Sequence, residues 1–158
     1  MKNKTILNIL LIFCLFALFS AYFIQYVLNH QPCNLCLMQR IPYILAIIVI
    51  FINFIFNKYE KIFILILSIV FLSATFLSLY HFGIEQGFIE ESLVCNLNSL
   101  DNNLTAEEIL KQLKEKPISC KEITFKFLGF SLATINTIIS LIISVILIKY
   151  YFNYEKNK

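Results

Sequence analysis

The stretch ILNILLIFCLFALFSAYFIQYVL, residues 6–28, decides the class of fold, because no charged side chain interrupts it. An α-helix rises about 1.5 Å per residue, so about 20 apolar residues cross the roughly 30 Å of hydrocarbon in a bilayer. Backbone groups in lipid must pair within their own segment, and this makes a membrane-spanning helix the expected structure. A cleaved signal peptide is the alternative, but its usual apolar core of about 7–15 residues is shorter than this run.

Three further apolar runs follow, over roughly residues 37–56, 62–82 and 128–152. Of the 158 residues, 59% are hydrophobic and 15% are charged, whereas a typical soluble domain has about 25% charged residues. We therefore predict an all-α membrane protein, a four-transmembrane-helix bundle built as one domain over residues 1–158. The net charge of +3 is small and does not indicate nucleic-acid binding, so the lipid bilayer is the partner that composition predicts.

Lysines that flank the apolar runs set the predicted orientation, since positive residues favour the cytoplasmic side. They precede the first run, separate the second from the third, and close the fourth: Lys2, Lys4, Lys58, Lys61, Lys149, Lys156 and Lys158. In the long segment 83–127, acidic residues outnumber basic ones. Both termini are therefore predicted to be cytoplasmic, and the first and third connections to be outer, periplasmic loops.

The long outer loop, residues 83–127, carries one local helix signal. Thr105 and Glu108 have the spacing of a capping box, and apolar residues follow at helical spacing until Pro117. We predict a short helix over about 105–116. The pattern is compatible with an amphipathic helix on the membrane surface and equally with a solvated helix packed on the loop.

The five cysteines divide into one inside a span and four outside the spans. Cys14 lies deep in the first apolar run and is expected to act as a small buried hydrophobe. Cys33 and Cys36 follow the first span, whereas Cys95 and Cys120 lie in the long outer loop. Because an oxidising compartment favours disulfides, two pairs are expected on the outer side.

The Cys33-x-x-Cys36 motif indicates redox chemistry, because the pKa of such a pair is readily lowered by a helix N-terminus or a nearby cation. The second helix is predicted to begin at about Leu37, which places Cys36 at its N-terminus, where the helix dipole favours a thiolate. Arg40 follows four residues later, so a continuous helix would place it on the same face, one turn deeper. An arginine at the edge of the hydrocarbon suggests a function, and a side chain that merely reaches the head groups is the alternative.

Zinc binding is the main competing use of four outer cysteines. Structural zinc sites often combine two Cys-x₂₋₄-Cys pairs. Cys95 and Cys120 lie too far apart in the sequence to form a second pair of that kind. The spacing therefore disfavours a metal site, and we predict none.

Residues 32–40, PCNLCLMQR, combine a Pro-Cys-x-x-Cys pair with an arginine four positions later. Together with four spans and one cysteine pair in each outer loop, this pattern resembles the bacterial disulfide bond formation protein B (DsbB) family of quinone-linked thiol oxidases. A second likeness is FLG at residues 127–129, followed by Asn136. The family often has Met-Pro and an aromatic residue nearby, where this chain has Leu132-Ala133 and Ile135, so details that depend on those side chains do not transfer.

The resemblance implies an electron path through the four outer cysteines. A periplasmic DsbA-like oxidase with a thioredoxin fold would attack Cys95 of a Cys95–Cys120 disulfide and release Cys120. Cys120 would then exchange with Cys33 of a Cys33–Cys36 disulfide. This path makes all four cysteines catalytic and makes the chain an enzyme, a quinone-dependent protein-disulfide oxidoreductase.

The resemblance also implies the cofactor and its site. Cys36 would face a membrane quinone, either ubiquinone or menaquinone, and Arg40 would help to hold it. His81, at the outer end of the third span, corresponds to a family histidine near the quinone, although an interfacial histidine without a function is the alternative. The implied location is the bacterial inner membrane, where the chain would be a multi-pass protein.

Two other functions remain open. The vitamin K epoxide reductase family also combines four helices, a Cys-x-x-Cys pair and a quinone, but its pair usually belongs to a late helix, whereas Cys33 and Cys36 come early here. A non-catalytic scaffold with structural disulfides explains four outer cysteines, but it does not explain Arg40 close to the pair.

Overall fold

The structure, a computed structural model, describes residues 2–56, 60–90, 95, 120, 126–127 and 130–156. These residues form five helices and one short hairpin: α1 Lys2–Tyr26, α2 Asn34–Met38, α3 Ile41–Ile55, α4 Glu60–Glu85, β1 Lys126–Phe127, β2 Phe130–Ser131 and α5 Leu132–Lys156. The helix predicted over 105–116 lies outside the described residues.

The described residues include four helical segments that are long and apolar enough to cross a membrane: Thr5–Tyr26, Asn34–Ile55, Glu60–Glu85 and Leu132–Asn153. The prediction of an all-α protein with four spans is therefore confirmed. Large apolar side chains on these segments remain exposed, among them Phe19 at 68% and Ile55 at 73%. Exposed apolar surface on this scale is unfavourable in water, and lipid is the solvent that suits it.

The second span begins three residues earlier than predicted, at Asn34 instead of Leu37. Cys33 is the reason, because its side chain caps the helix. Its Sγ atom accepts a hydrogen bond from the backbone N–H of Cys36 at 3.3 Å, and the first N–H groups of a helix otherwise lack partners. Cys36 therefore lies in the first turn of the span, and Cys33 directly precedes it.

The second span is also broken, between Met38 at the end of α2 and Ile41 at the start of α3. Pro42 lies in the first turn of α3, where its missing N–H costs little, but the ring disfavours a continuous helix before it. The backbone N–H of Arg40 bonds three residues back at 3.1 Å, which is a tighter turn than an α-helix makes. Gln39 and Arg40 form the break between α2 and α3.

The fourth span begins at Leu132, a few residues later than predicted, because a small antiparallel hairpin precedes it. Phe127 pairs with Phe130 across the hairpin. Ser131 then caps α5, since its hydroxyl accepts a hydrogen bond from the backbone N–H of Thr134 at 3.2 Å.

The spans pack in the order α1, α3, α4, α5, with the most extensive contact between α4 and α5. The apolar core between α1, α3 and α4 is built around fully buried residues, namely Cys14, Ala46, Ile50, Leu67 and Phe71. Side chains of this size interlock on adjacent helices and hold them in register. Cys14 is thus part of the packing of the bundle.

An apolar groove of about 280 Å³ separates α1 from α5. Every residue that lines it is apolar: Ile6, Ile9, Leu10, Phe13, Ile139, Ile142, Ile143, Ile146 and Leu147. The groove is an apolar slot between the first and last spans.

Candidate functional site

Cys33 and Cys36 lie side by side at the start of the second span. Both are thiols, and their Sγ atoms are 2.8 Å apart. Cys33 is 6% exposed, whereas Cys36 is half-buried. The backbone N–H of Cys36 points at the sulfur of Cys33, so the helix turn stabilises negative charge on Cys33 and not on Cys36, where the sequence had suggested it.

His81 of α4 lies directly against this pair. Its Nε2 atom is 3.6 Å from the Cys33 Sγ atom, and the residue is only 3% exposed. The sequence predicted His81 at the outer end of the third span, and the structure buries it near the end of α4, beside Cys33.

The surroundings of Cys33 favour its thiolate. The hydrogen bond with the Cys36 thiol, and then the contact with His81, lower the pKa of Cys33 from 9.0 to about 5, although burial acts in the opposite direction. A thiol with that pKa is ionised at neutral pH and is therefore nucleophilic.

The second cysteine pair, Cys95 and Cys120, is buried in the same cluster as Cys33. Cys95 and Cys120 form a disulfide with their Cα atoms 5.8 Å apart, and both are almost completely buried. They share one cluster with Cys33, and the backbone of Cys120 lies within hydrogen-bonding reach of the His81 ring. The structure thus brings all four outer cysteines together around one histidine.

Glu85 completes the ionisable groups of the site. It lies one helical turn after His81, with a carboxylate oxygen 3.7 Å from the His81 Nε2 atom and a side chain 6% exposed. Its other oxygen accepts a hydrogen bond from the hydroxyl of Ser131, at the start of α5. A buried carboxylate is costly unless it is paired, so Glu85 is held between the histidine and the cap of the fourth span.

A chain of hydrogen bonds reaches the opposite edge of the His81 ring. Gln39 donates from Nε2 to the His81 Nδ1 atom at 2.9 Å, and Asn136 of α5 donates from Nδ2 to the Gln39 Oε1 atom at 3.1 Å. The hydroxyl of Tyr43 donates to the Asn136 Oδ1 atom at 2.5 Å. Three helices, α3, α4 and α5, and the turn between α2 and α3 meet through these side chains.

The Arg40 side chain contacts α1, and not the His81 site that Gln39 contacts. Its Nη1 atom donates to the Gln25 Oε1 atom at 2.6 Å, and the guanidinium carbon lies 4.9 Å from the centre of the Tyr22 ring. Both partners belong to α1. The sequence predicted Arg40 one helical turn beyond Cys36, and in the structure its side chain contacts α1.

Cys33, Cys36 and His81 offer ligand atoms within 4.8 Å of one another, a spacing that could hold a metal ion. A histidine that binds a metal usually donates its other ring N–H, but here Gln39 donates to that nitrogen. The hydrogen-bond directions therefore favour a proton, not a metal, between the ring and the sulfur.

Sequence reasoning found the cysteines and His81 but missed their polar supports: Gln39, Tyr43, Glu85, Ser131 and Asn136. One signal was available, because polar side chains inside apolar runs usually have partners within the protein. Asn136 is such a residue. A polar amide in the fourth span indicates which face of that helix points into the bundle.

Comparison with known proteins adds independent information. The family model described as "Disulfide bond formation protein DsbB" matches residues 3–150 of the chain. An uncharacterized protein of Rickettsia prowazekii (strain Madrid E) is 29% identical over 156 residues, which cover 97% of this chain and 91% of that protein. No solved structure matches the chain at a significant level. The region matched by the family model contains every cysteine.

Proposed function

Since the chain belongs to the DsbB family of disulfide bond formation proteins, we propose that it is a quinone-linked thiol oxidase. It would take electrons from the dithiol of a periplasmic DsbA-like protein and so support disulfide formation. The observation that carries this proposal is the single buried cluster that joins the Cys95–Cys120 disulfide to Cys33.

The first exchange takes place at the outer disulfide. A thiolate of the partner attacks the Sγ atom of Cys95, the Cys95–Cys120 bond breaks, and Cys120 leaves as a thiolate. The second partner thiol then displaces Cys95, so the partner gains a disulfide and this chain gains two electrons. Cys95 is 3% exposed, so it must become more accessible before a partner reaches it.

The second exchange transfers those electrons inward. Cys120 attacks Cys33 of a Cys33–Cys36 disulfide and releases Cys36, after which Cys95 recloses the outer disulfide and releases Cys33. The leaving Cys33 thiolate is stabilised by the N–H of Cys36 and by the His81 ring. A low-pKa thiol is a good leaving group in such exchange, and the thiol pair beside an intact outer disulfide matches the state reached after this step.

A quinone fits the residues around the reduced pair. When bound, a quinone takes up two electrons and two protons and regenerates the inner disulfide. The guanidinium of Arg40 lies on the α1 side of the pair, where it could donate to a carbonyl oxygen of the head group. The groove between α1 and α5 is apolar throughout and could hold an isoprenoid chain. A DsbA-like oxidase has a potential of about −120 mV, so its reoxidation needs a strong electron acceptor.

The proposal includes a location. We propose that the chain is a single domain of the bacterial inner membrane, with both termini in the cytoplasm and the cysteine cluster on the periplasmic side. A fluorescent protein fused after Lys158 folds only in the cytoplasm, so fluorescence of that fusion is the expected result. If this fusion is dark, and a fusion at the same position to an enzyme that works only in the periplasm is active, the proposed orientation is wrong.

The decisive experiment is a purified-protein assay with a reduced DsbA-like protein and a soluble quinone analogue, either of the ubiquinone or of the menaquinone type. We expect quinone-dependent oxidation of the partner, which Cys33→Ala and Cys36→Ala each abolish. Cys14→Ala is the matched control, because Cys14 is buried in the packing of the bundle, and it should keep the activity. Equal rates for the parent and the inner-pair variants would refute the relay and favour a scaffold.

A further inference from the structure

The His81 ring has different partners on its two nitrogens. At Nε2 lie two groups that accept hydrogen bonds, the Cys33 sulfur at 3.6 Å and a Glu85 oxygen at 3.7 Å. At Nδ1 lies a donor, the Gln39 amide nitrogen at 2.9 Å. A neutral imidazole has one N–H and one bare nitrogen, so this arrangement selects the form with its proton on Nε2, facing Cys33.

The orientation of the Gln39 amide decides which tautomer is selected, and Asn136 fixes that orientation. Asn136 donates from its own amide to the Gln39 oxygen at 3.1 Å. If the Gln39 amide alone turned over, its nitrogen would face the nitrogen of Asn136 and two donors would oppose each other. Gln39 is 9% exposed, so water cannot easily replace the lost bond, and such a mismatch is costly.

Tyr43 in turn fixes the orientation of the Asn136 amide. Its hydroxyl donates to the Asn136 oxygen at 2.5 Å, and Ser140 donates to the same oxygen at 3.4 Å. If the Asn136 amide turned over, its nitrogen would face these two hydroxyl groups. The two amides can therefore reverse only together and only if Tyr43 also redirects its hydroxyl.

We propose that Asn136 and Tyr43 are positioning residues that act through Gln39 to hold His81 as the Nε2–H tautomer, directed at Cys33. This inference rests on the proposed function for its purpose, because a neutral N–H donor stabilises the Cys33 thiolate when it forms. Cys33, Cys36 and Glu85 are the ionisable side chains that face His81 among the described residues, and the negative ones attract a second proton to the ring. The Gln39 amide disfavours that second proton, because it places a donor, and no acceptor, at the Nδ1 atom of His81.

The tautomer of His81 can be measured directly by nitrogen-15 NMR. The chain has two histidines, His30 and His81, so nitrogen-15 labelled histidine gives few signals in the reduced full-length protein, and His30→Gln assigns them. At a pH where the ring is neutral, we expect His81 to carry its proton on Nε2. In Asn136→Leu the ratio of Nε2–H to Nδ1–H should fall by about fivefold, which corresponds to the loss of about 1 kcal/mol for one neutral hydrogen bond.

A control variant and a second test variant accompany Asn136→Leu. Thr137→Val changes the next residue of α5, whose hydroxyl bonds only to its own helix at Ala133, and it should leave the ratio unchanged. Tyr43→Phe should lower the ratio less than Asn136→Leu does, because Ser140 still donates to Asn136. A His81 proton on Nδ1 in the parent protein would overturn the inference without any variant, and so would an unchanged ratio in Asn136→Leu or Tyr43→Phe. The readout needs neither partner nor quinone, so an inactive protein with the expected tautomer would refute the proposed function alone.

Discussion

The Nε2 atom of His81 lies 3.6 Å from the sulfur of Cys33, although the two residues are 48 positions apart and belong to different spans. Together with the Cys36 thiol and the first turn of α2, this contact favours the thiolate form of Cys33. The Cys95–Cys120 disulfide belongs to the same buried cluster as Cys33, so the two cysteine pairs are neighbours in the fold.

The reduced protein should show an unusually acidic thiol. Because the pKa of Cys33 is lowered to about 5, the thiolate is present above that pH and is lost as the pH falls through it. We expect the alkylation rate of Cys33 in a Cys36→Ser variant, where a hydroxyl still donates, to have its midpoint well below pH 7. A midpoint near 9, the ordinary value for a thiol, would contradict the proposed environment.

Removal of single donors should raise that midpoint in a defined order. The Cys36 thiol makes the largest contribution to the low pKa of Cys33, and His81 makes a smaller one. Cys36→Ala should therefore raise the alkylation midpoint more than His81→Ala does, and each should raise it by about one pH unit or more. His30→Gln serves as the histidine control with an unchanged midpoint. The reverse order would show that the ring, not the neighbouring thiol, is the main stabiliser.

The outer pair should matter for protein partners and not for small dithiols. Cys95→Ser removes the site of partner attack, so turnover with a reduced DsbA-like protein should fall at least about a hundredfold, whereas a small dithiol that reaches the inner pair should keep most of its rate. Cys14→Ala should keep both rates. Equal losses with both reductants would mean that the outer disulfide only stabilises the site.

Arg40 should affect quinone binding. Loss of one charge-assisted hydrogen bond, about 1.5–3 kcal/mol, predicts that Arg40→Met raises the KM for a quinone analogue by roughly ten- to hundredfold. Arg40→Lys should give a smaller increase, because the charge stays but the planar fork is lost. Lys149→Leu removes a cation from α5 and should leave the KM unchanged. A KM that is also unchanged in Arg40→Met would remove Arg40 from the quinone site.

The spans and the grouping of the cysteines were predictable, because both depend on information that is local in the sequence. An apolar run of residues 6–28 needs no partner to be read as a span, and four cysteines outside the runs fall on one predicted side. The break at Gln39 was less visible. Pro42 signals a disturbance, but only the side-chain contacts show that Gln39 bonds to His81 of α4 and Arg40 to Gln25 of α1.

The polar supports of the site were not predictable from the sequence, because they depend on which helices pack together. Asn136 and Gln39 are 97 positions apart, and Glu85 and Ser131 are 46 positions apart. The first pair joins α5 to the turn between α2 and α3, and the second joins the end of α4 to the residue that precedes α5. The sequence indicates that a buried amide needs a partner, but it cannot say which residue supplies it.

The bond between Asn136 and Gln39 also has a consequence for biosynthesis. At about 5–20 residues per second, a ribosome adds the 97 intervening positions in roughly 5–20 s. During that interval the membrane already holds the first spans and their thiols, while the helix that orients the histidine has not yet been made. The nascent protein would therefore carry its cysteines before their supporting polar chain is in place, and full reactivity would arrive only with the last helix.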